Sequence, residues 1–129
     1  TSGLVAGRDM TLLVYGSPST AAATLLTDDN RPPSSSTSVK LRLINGISGN
    51  SANLLTLTAN SATVASSVQP YTASTYSAVT GSANVMNLTL YSSQKAGVYF
   101  TNTSYVLNAN SVYTALAAGD FAAPMLLIR

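Results

Sequence analysis

Val39-Lys40-Leu41-Arg42-Leu43-Ile44-Asn45-Gly46 is the stretch that decides the fold class. Val39, Leu41 and Leu43 alternate with Lys40 and Arg42, the period of two that sends successive side chains to opposite faces of a strand. The three apolar residues therefore face a core, both cations face the other side, and Asn45-Gly46 turns the chain. Working outward, strand-like stretches recur upstream at Met10–Tyr15 and Ala23–Leu26. Downstream they recur at Asn53–Ala59, Thr63–Val68, Ser74–Val79, Val85–Tyr91, Val98–Thr101, Tyr105–Leu107, Val112–Ala117 and Met125–Ile128. No long window shows the apolar spacing of an amphipathic helix. Many short strands separated by turn signals predict an all-β chain, an immunoglobulin-like antiparallel β-sandwich rather than a parallel sheet covered by helices.

Composition narrows the function classes. Of 129 residues 46% are hydrophobic and only 8% charged, with a net charge of +2, against about 25% charged in an average globular chain. The solvating role passes to 19 Ser, 16 Thr and 10 Asn. Such a neutral polar surface offers little repulsion between copies, which favours dense self-association. The chain has no His, Cys, Trp or Glu, and its four acids are Asp9, Asp28, Asp29 and Asp120. Disulfides, thiolate chemistry and ordinary transition-metal sites therefore lack their parts. Serine nucleophiles lack a His base and a Gly-x-Ser-x-Gly elbow. The expectation is a non-enzyme without cofactors. Six cations against four acids are too even a balance for a nucleic-acid partner. The apolar run Ala122 to Ile128, even with Phe121 before it, is far shorter than the roughly 18 residues that suggest a membrane span, so no membrane insertion is expected. A charge-poor composition rich in Ser, Thr, Asn and Tyr predicts an extracytoplasmic location: secreted, at the cell surface or in an extracellular fibre.

The chain also repeats itself. Leu4 to Gly16 aligns without a gap on Leu107 to Gly119, each copy having a Leu and a turn before a strand that ends at Gly, with an apolar strand following. Residues 1–30 then read as an N-terminal hairpin left over from a preceding repeat, equivalent to the closing hairpin of a module. Residues 31–37 read as a polar Pro/Ser linker and 38–129 as a complete module. A hairpin with Leu4, Met10, Leu12, Val14 and Leu25 on it and no upstream strands leaves sheet edges and apolar surface to be covered. Two routes are open: packing on its own module, or completing the sheet of a neighbouring copy by strand addition, which propagates head to tail. The C-terminal strand, with Met125 and Leu127, is the natural place for the second.

Three groups invite a site reading. Asp28-Asp29-Asn30 offers adjacent oxygen ligands for calcium but lacks the alternating spacing and distal Glu of a dedicated loop, and a solvated turn is the plainer reading. Arg42 can bind an anion, or pair with Asp or backbone carbonyls. Tyr71, Tyr76, Tyr91, Tyr99, Phe100 and Tyr105 can form a stacking platform for a glycan, or pack the sandwich.

Thr11 to Gly16, Leu26-Thr27-Asp28-Asp29-Asn30 and above all Leu41 to Gly46 resemble a bacterial family, the one catalogued as domain of unknown function 4397. Its members show an arginine-x-x-asparagine strand end opening each module and a tyrosine-threonine strand before a glycine near its close. Arg42 with Asn45, and Tyr113-Thr114 with Gly119, stand in those places, while Met10 stands where the first copy should have Tyr. The first module's opening strands, and the family's proline- and aspartate-rich segment after the Asn, are missing from this sequence. The resemblance implies an immunoglobulin-like or transthyretin-like sandwich, often in tandem, in secreted or surface-anchored proteins, and it implies no reaction. The resulting expectation is a non-catalytic structural module whose partners are other copies of itself or adjacent modules of a longer chain, with polymerisation by strand complementation as one of the two open routes. The alternative is an adhesion or carbohydrate-binding module acting through loops and exposed tyrosines.

Overall fold

The computed structural model describes residues 3–80 and 85–129; residues 1 and 2 of the expected hairpin unit lie outside the described residues. The chain is all-β. Its strands are β1 (Met10–Tyr15), β2 (Ala22–Thr27), β3 (Ser38–Asn45), β4 (Leu55–Ala59), β5 (Ala62–Val68), β6 (Ser77–Thr80), β7 (Val85–Ser92), β8 (Val98–Val106), β9 (Val112–Asp120) and β10 (Ala123–Ile128). One sheet has the order β10-β9-β3-β6 and the other β5-β4-β7-β8, while among the described residues β1 and β2 pair only with each other. The two four-stranded sheets pack as a sandwich. Its core sets Leu41 and Leu43 of β3, Ala115 and Ala117 of β9 and Leu126 of β10 against Leu55 and Leu57 of β4 and Met86, Leu88 and Leu90 of β7. These are the alternate residues of each strand, so one face of each sheet is apolar by sequence and burying it holds the sheets together.

One pairing departs from the antiparallel expectation. β3 runs antiparallel to β6 but parallel to β9, from Lys40↔Val112 to Asn45↔Ala117. A parallel pair needs a long crossover, and all four strands of the second sheet are built between these two strands. The sequence also predicts a break after Thr101, yet β8 runs unbroken from Val98 to Val106. Its polar Asn102, Thr103 and Ser104 are tolerated because β8 is an edge strand, where one backbone edge and one face meet water. Asn53 and Leu54 precede β4, and β6 starts at Ser77, later than the alternation suggests.

Asn45 ends β3 as a buried pin. Its Nδ2 donates to Asn53 O at 2.8 Å and Val68 O at 3.0 Å, and its Oδ1 accepts from Ile47 N at 3.3 Å. A fully buried amide is tolerated because it is hydrogen-bonded, and these bonds tie β3 to the start and end of the opposite sheet's β4–β5 hairpin. At the base, Tyr113 Oη accepts from Asn108 N at 3.1 Å. Along the open side, Tyr99 Oη donates to Phe121 O at 2.8 Å and Tyr105 Oη donates to Leu126 O, stitching β8 to the β9–β10 hairpin.

Burial raises the pKa of both Tyr99 and Tyr105, helped at Tyr99 by the nearby Asp120 charge. A raised folded-state value means that the stabilisation is complete below the unfolded tyrosine pKa, about 10, and is lost as pH rises through the folded values. Thermal melting should accordingly be level from about pH 8 to 9 and fall above about pH 10. The Tyr99→Phe/Tyr105→Phe variant should melt lower at neutral pH and show a shallower alkaline fall.

Candidate functional site

The β1–β2 and β9–β10 hairpins are built alike. The alignment of Leu4 on Leu107 places Leu12 on Ala115 and Leu25 on Ile128; Leu12 pairs with Leu25 in one hairpin and Ala115 with Ile128 in the other. Tyr15 with Ala22 likewise lands on the pair Ala118 with Met125. Gly16 and Gly119 both adopt positive φ, 96° and 90°. A Cβ at either would lie 2.6 Å from Thr20 O or 2.7 Å from Ala123 O, carbonyls that are themselves aligned, so each turn demands glycine. Gly7 and Asn110, also aligned, are both left-handed at φ 74° and 60°. Turn, register and lead-in thus agree where sequence identities are few.

The hairpins differ in which face is covered. In β9–β10, Ala115, Ala117 and Leu126 face the core, with Leu107 buried below them. The aligned residues of the first hairpin face away from the sandwich: Leu12 is 61% exposed, Val14 65% and Leu4 67%, against 0% for Ala115 and Ala117 and 2% for Leu107. Met10 and Leu25 are half-buried. They share that face, Met10 by alternation along β1 and Leu25 by pairing with Leu12. The opposite face, Thr11, Leu13 and Tyr15, docks on the outside of the β10-β9-β3-β6 sheet. Leu13 is buried, with its Cδ1 3.8 Å from the Cβ position of Gly46, where Leu116 also lies. Tyr15 stacks on Tyr71 with ring centroids 3.9 Å apart and planes within 8°.

Arg42 is the centre of this contact and is 2% exposed. Its Nη1 donates to Thr27 O at 3.0 Å, and its Nη2 donates to Asp28 Oδ1 and to Thr11 Oγ1 at 3.3 Å. Its Nε donates to Thr114 Oγ1 at 3.0 Å. Thr11 and Thr114 occupy the same place in the two copies of the repeat, so one guanidinium is shared by two equivalent hydroxyls. The Thr11 hydroxyl donates in turn to Asp28 Oδ2 at 2.9 Å. The Tyr76 ring lies 4.8 Å from Cζ of Arg42, a cation–π distance. Beside this node Lys40 Nζ lies 2.8 Å from Asp29 Oδ2 and donates to Arg31 O at 2.9 Å. Arg31 grips Asp29 through Nε and Nη2 at 2.8 and 2.9 Å. Arg31 first, then Lys40, hold the Asp29 carboxyl well below the usual carboxylate range, and Asp29 raises Arg31 in return.

The side chains of Asp28, Asp29 and Asn30, weighed above as a weak set of calcium ligands, turn to separate partners. Asp28 turns to Arg42 and Thr11, Asp29 to Arg31 and Lys40, and Asn30 Nδ2 donates to Asp9 Oδ2 at 2.8 Å. Neighbours on an extended chain point apart, and cations of the chain itself take both carboxylates. The open cleft between this loop and Ala73–Tyr76 is therefore lined by Asp28, Asp29, Lys40 and Arg42 already paired with each other. The linker is tied down too, with Pro33 buried. The aromatic residues do not gather on one platform: Tyr71 stacks on Tyr15, Tyr76 lies beside Arg42, Tyr91 is exposed on β7, and Tyr99 and Tyr105 bridge the sandwich. Met125 and Leu127 point outward from edge strand β10 and are about half exposed, 49% and 45%. Sequence reasoning missed Thr11, Leu13, Tyr15 and Thr114 as docking residues. A signal was present, since the aligned pair Thr11 and Thr114 is one of the few identities in the repeat.

No protein-family model matches the sequence, and no curated protein matches it. The functional reading is carried by the geometry.

Removing one partner from a buried, hydrogen-bonded ion pair strands the other, a loss of roughly 3–5 kcal/mol. Arg42→Ala should destabilise by about that amount in urea unfolding and speed amide exchange across Met10–Tyr15 and Ala22–Thr27. Arg42→Lys should rescue little, because a single ammonium cannot span Thr114, Thr27 O and Asp28 together.

Proposed function

We propose that the chain is a non-catalytic structural module of an extracytoplasmic surface protein or fibre, working by packing against other modules of its kind. One observation carries this reading. Leu4, Leu12 and Val14 are bare at positions whose aligned counterparts, Leu107, Ala115 and Ala117, are buried in a core. Apolar surface so exposed is driven to association, at about 25 cal/mol per Å² removed from water. The charge-poor composition opposes that association weakly. A non-catalytic role is supported by the absence of His, Cys and Glu from the sequence and by the engagement of Asp28 and Asp29 in ion pairs. The location rests on the composition and on the family resemblance.

Sedimentation velocity from micromolar to near-millimolar concentration tests the reading. The chain should self-associate, while Leu12→Asp/Val14→Asp, altered on the face that does not dock, should stay monomeric with an unchanged melting temperature. Monomers of the parent chain across the whole range would overturn it.

A further inference from the structure

The bare face of the hairpin has a counterpart within the same chain, and the counterpart specifies what covers it. We infer that Met10, Leu12, Val14 and Leu25 are the core half of a second sandwich, completed by a segment patterned like residues 38–106 whose last strand leads into Leu4. This rests on the assembly reading above and names the partner of its bare face.

Four features define the occupant. First, the aligned face of β9–β10 is covered by the β5-β4-β7-β8 sheet, so a sheet of that kind belongs over Leu12 and Val14. Second, β9 is paired on its far edge by β3 running parallel to it. The aligned edge of β1 has no ladder partner among the described strands and takes a strand in the same parallel register. Third, Phe121 O and Leu126 O accept from the hydroxyls of Tyr99 and Tyr105. Their aligned carbonyls are those of Pro18 and Ala23, so the occupant presents two hydroxyl donors there. Fourth, β8 ends at Val106 and passes through Leu107 into the turn before β9. Leu4 is the aligned residue, which gives the covering segment a continuous path into this chain.

The side chains also set which segment fits. Leu12 and Val14 stand where the complete module has Ala115 and Ala117, and Met10 stands in place of Tyr113. Cores pack to crystal density, so added methylenes strain them. The occupant must then be smaller opposite Leu12 and Val14 and larger opposite Met10 than the chain's own sheet. The same mismatch disfavours exchange of the two hairpins between copies, since neither fills the other's place.

The test is a chain in which a second copy of residues 38–106 precedes Leu4, so that Val106 joins Leu4 directly. In the added copy Arg42→Ser is made, because its place is beside Thr11, where Arg42 already binds. One version keeps the hairpin as it is, and a second carries Met10→Tyr, Leu12→Ala and Val14→Ala to restore the complete module's core residues. Hydrogen exchange and sedimentation are read on both. In the second version the added strands should be protected like the original copy, exchange across Met10–Tyr15 should slow by about tenfold or more, and self-association should vanish. The first version should be less protected than the second. If the added strands exchange as unfolded chain in both versions while the parent still associates through Leu12 and Val14, the inference is overturned and the assembly reading stands.

Discussion

A single buried guanidinium joins the two parts of this chain. Arg42 belongs to the central strand of the module, yet most of its hydrogen bonds go to the hairpin: Thr27 O, Thr11 and Asp28, with Thr114 of the neighbouring strand completing the set. A charge withdrawn from water is tolerable only when it is paired and its donors are satisfied. The strand places it on the face opposite Leu41 and Leu43, outside the core, so the hairpin must come to it. Burying β3 on both faces is thus the joint result of an apolar face that makes the sandwich and a charged face that recruits a third layer.

That contact also decides what the molecule leaves uncovered. Strand geometry allows only two faces, and once Thr11, Leu13 and Tyr15 are committed to Arg42, Gly46 and Leu116, and Tyr71, Leu12 and Val14 have no direction left but outward. The face of the hairpin that its twin buries is therefore presented to solvent by the same bonds that hold it in place. A docked hairpin gives a defined and rigid apolar face, where a loose one would give only a sticky tail. This links the electrostatics of one residue to the proposed assembly role of another four residues along the strand pair.

Much of the fold was legible because it is local. The alternation in Val39–Leu43 marks β3, the repeat marks both hairpins, and Arg42 stands out as a charged residue on a strand; the turn expected at Asn45-Gly46 comes later, because Gly46 N and Ser48 N still bond to Ala117 O and Gly119 O alongside β9. What was not legible depends on partners distant in sequence. The parallel pairing of β3 with β9 leaves no local trace, since each strand reads the same whichever way its neighbour runs. The polar run Asn102-Thr103-Ser104 looks like a break until its edge position is known. The partners of Asp28 and Asp29 were only partly legible: Arg31, two residues from Asp29, is local, but Arg42 and Lys40 come from another strand.

The central claim is that the hairpin is docked by one face and bare on the other, and residue-resolved hydroxyl-radical footprinting of the dilute chain tests it most directly. Leu4, Leu12 and Val14 should be heavily oxidised, and Leu13 should be protected along with Leu107 and Leu126. Equal oxidation of Leu12 and Leu13 would show an undocked hairpin and contradict the account, as would protection of Leu12 and Val14 in the monomer.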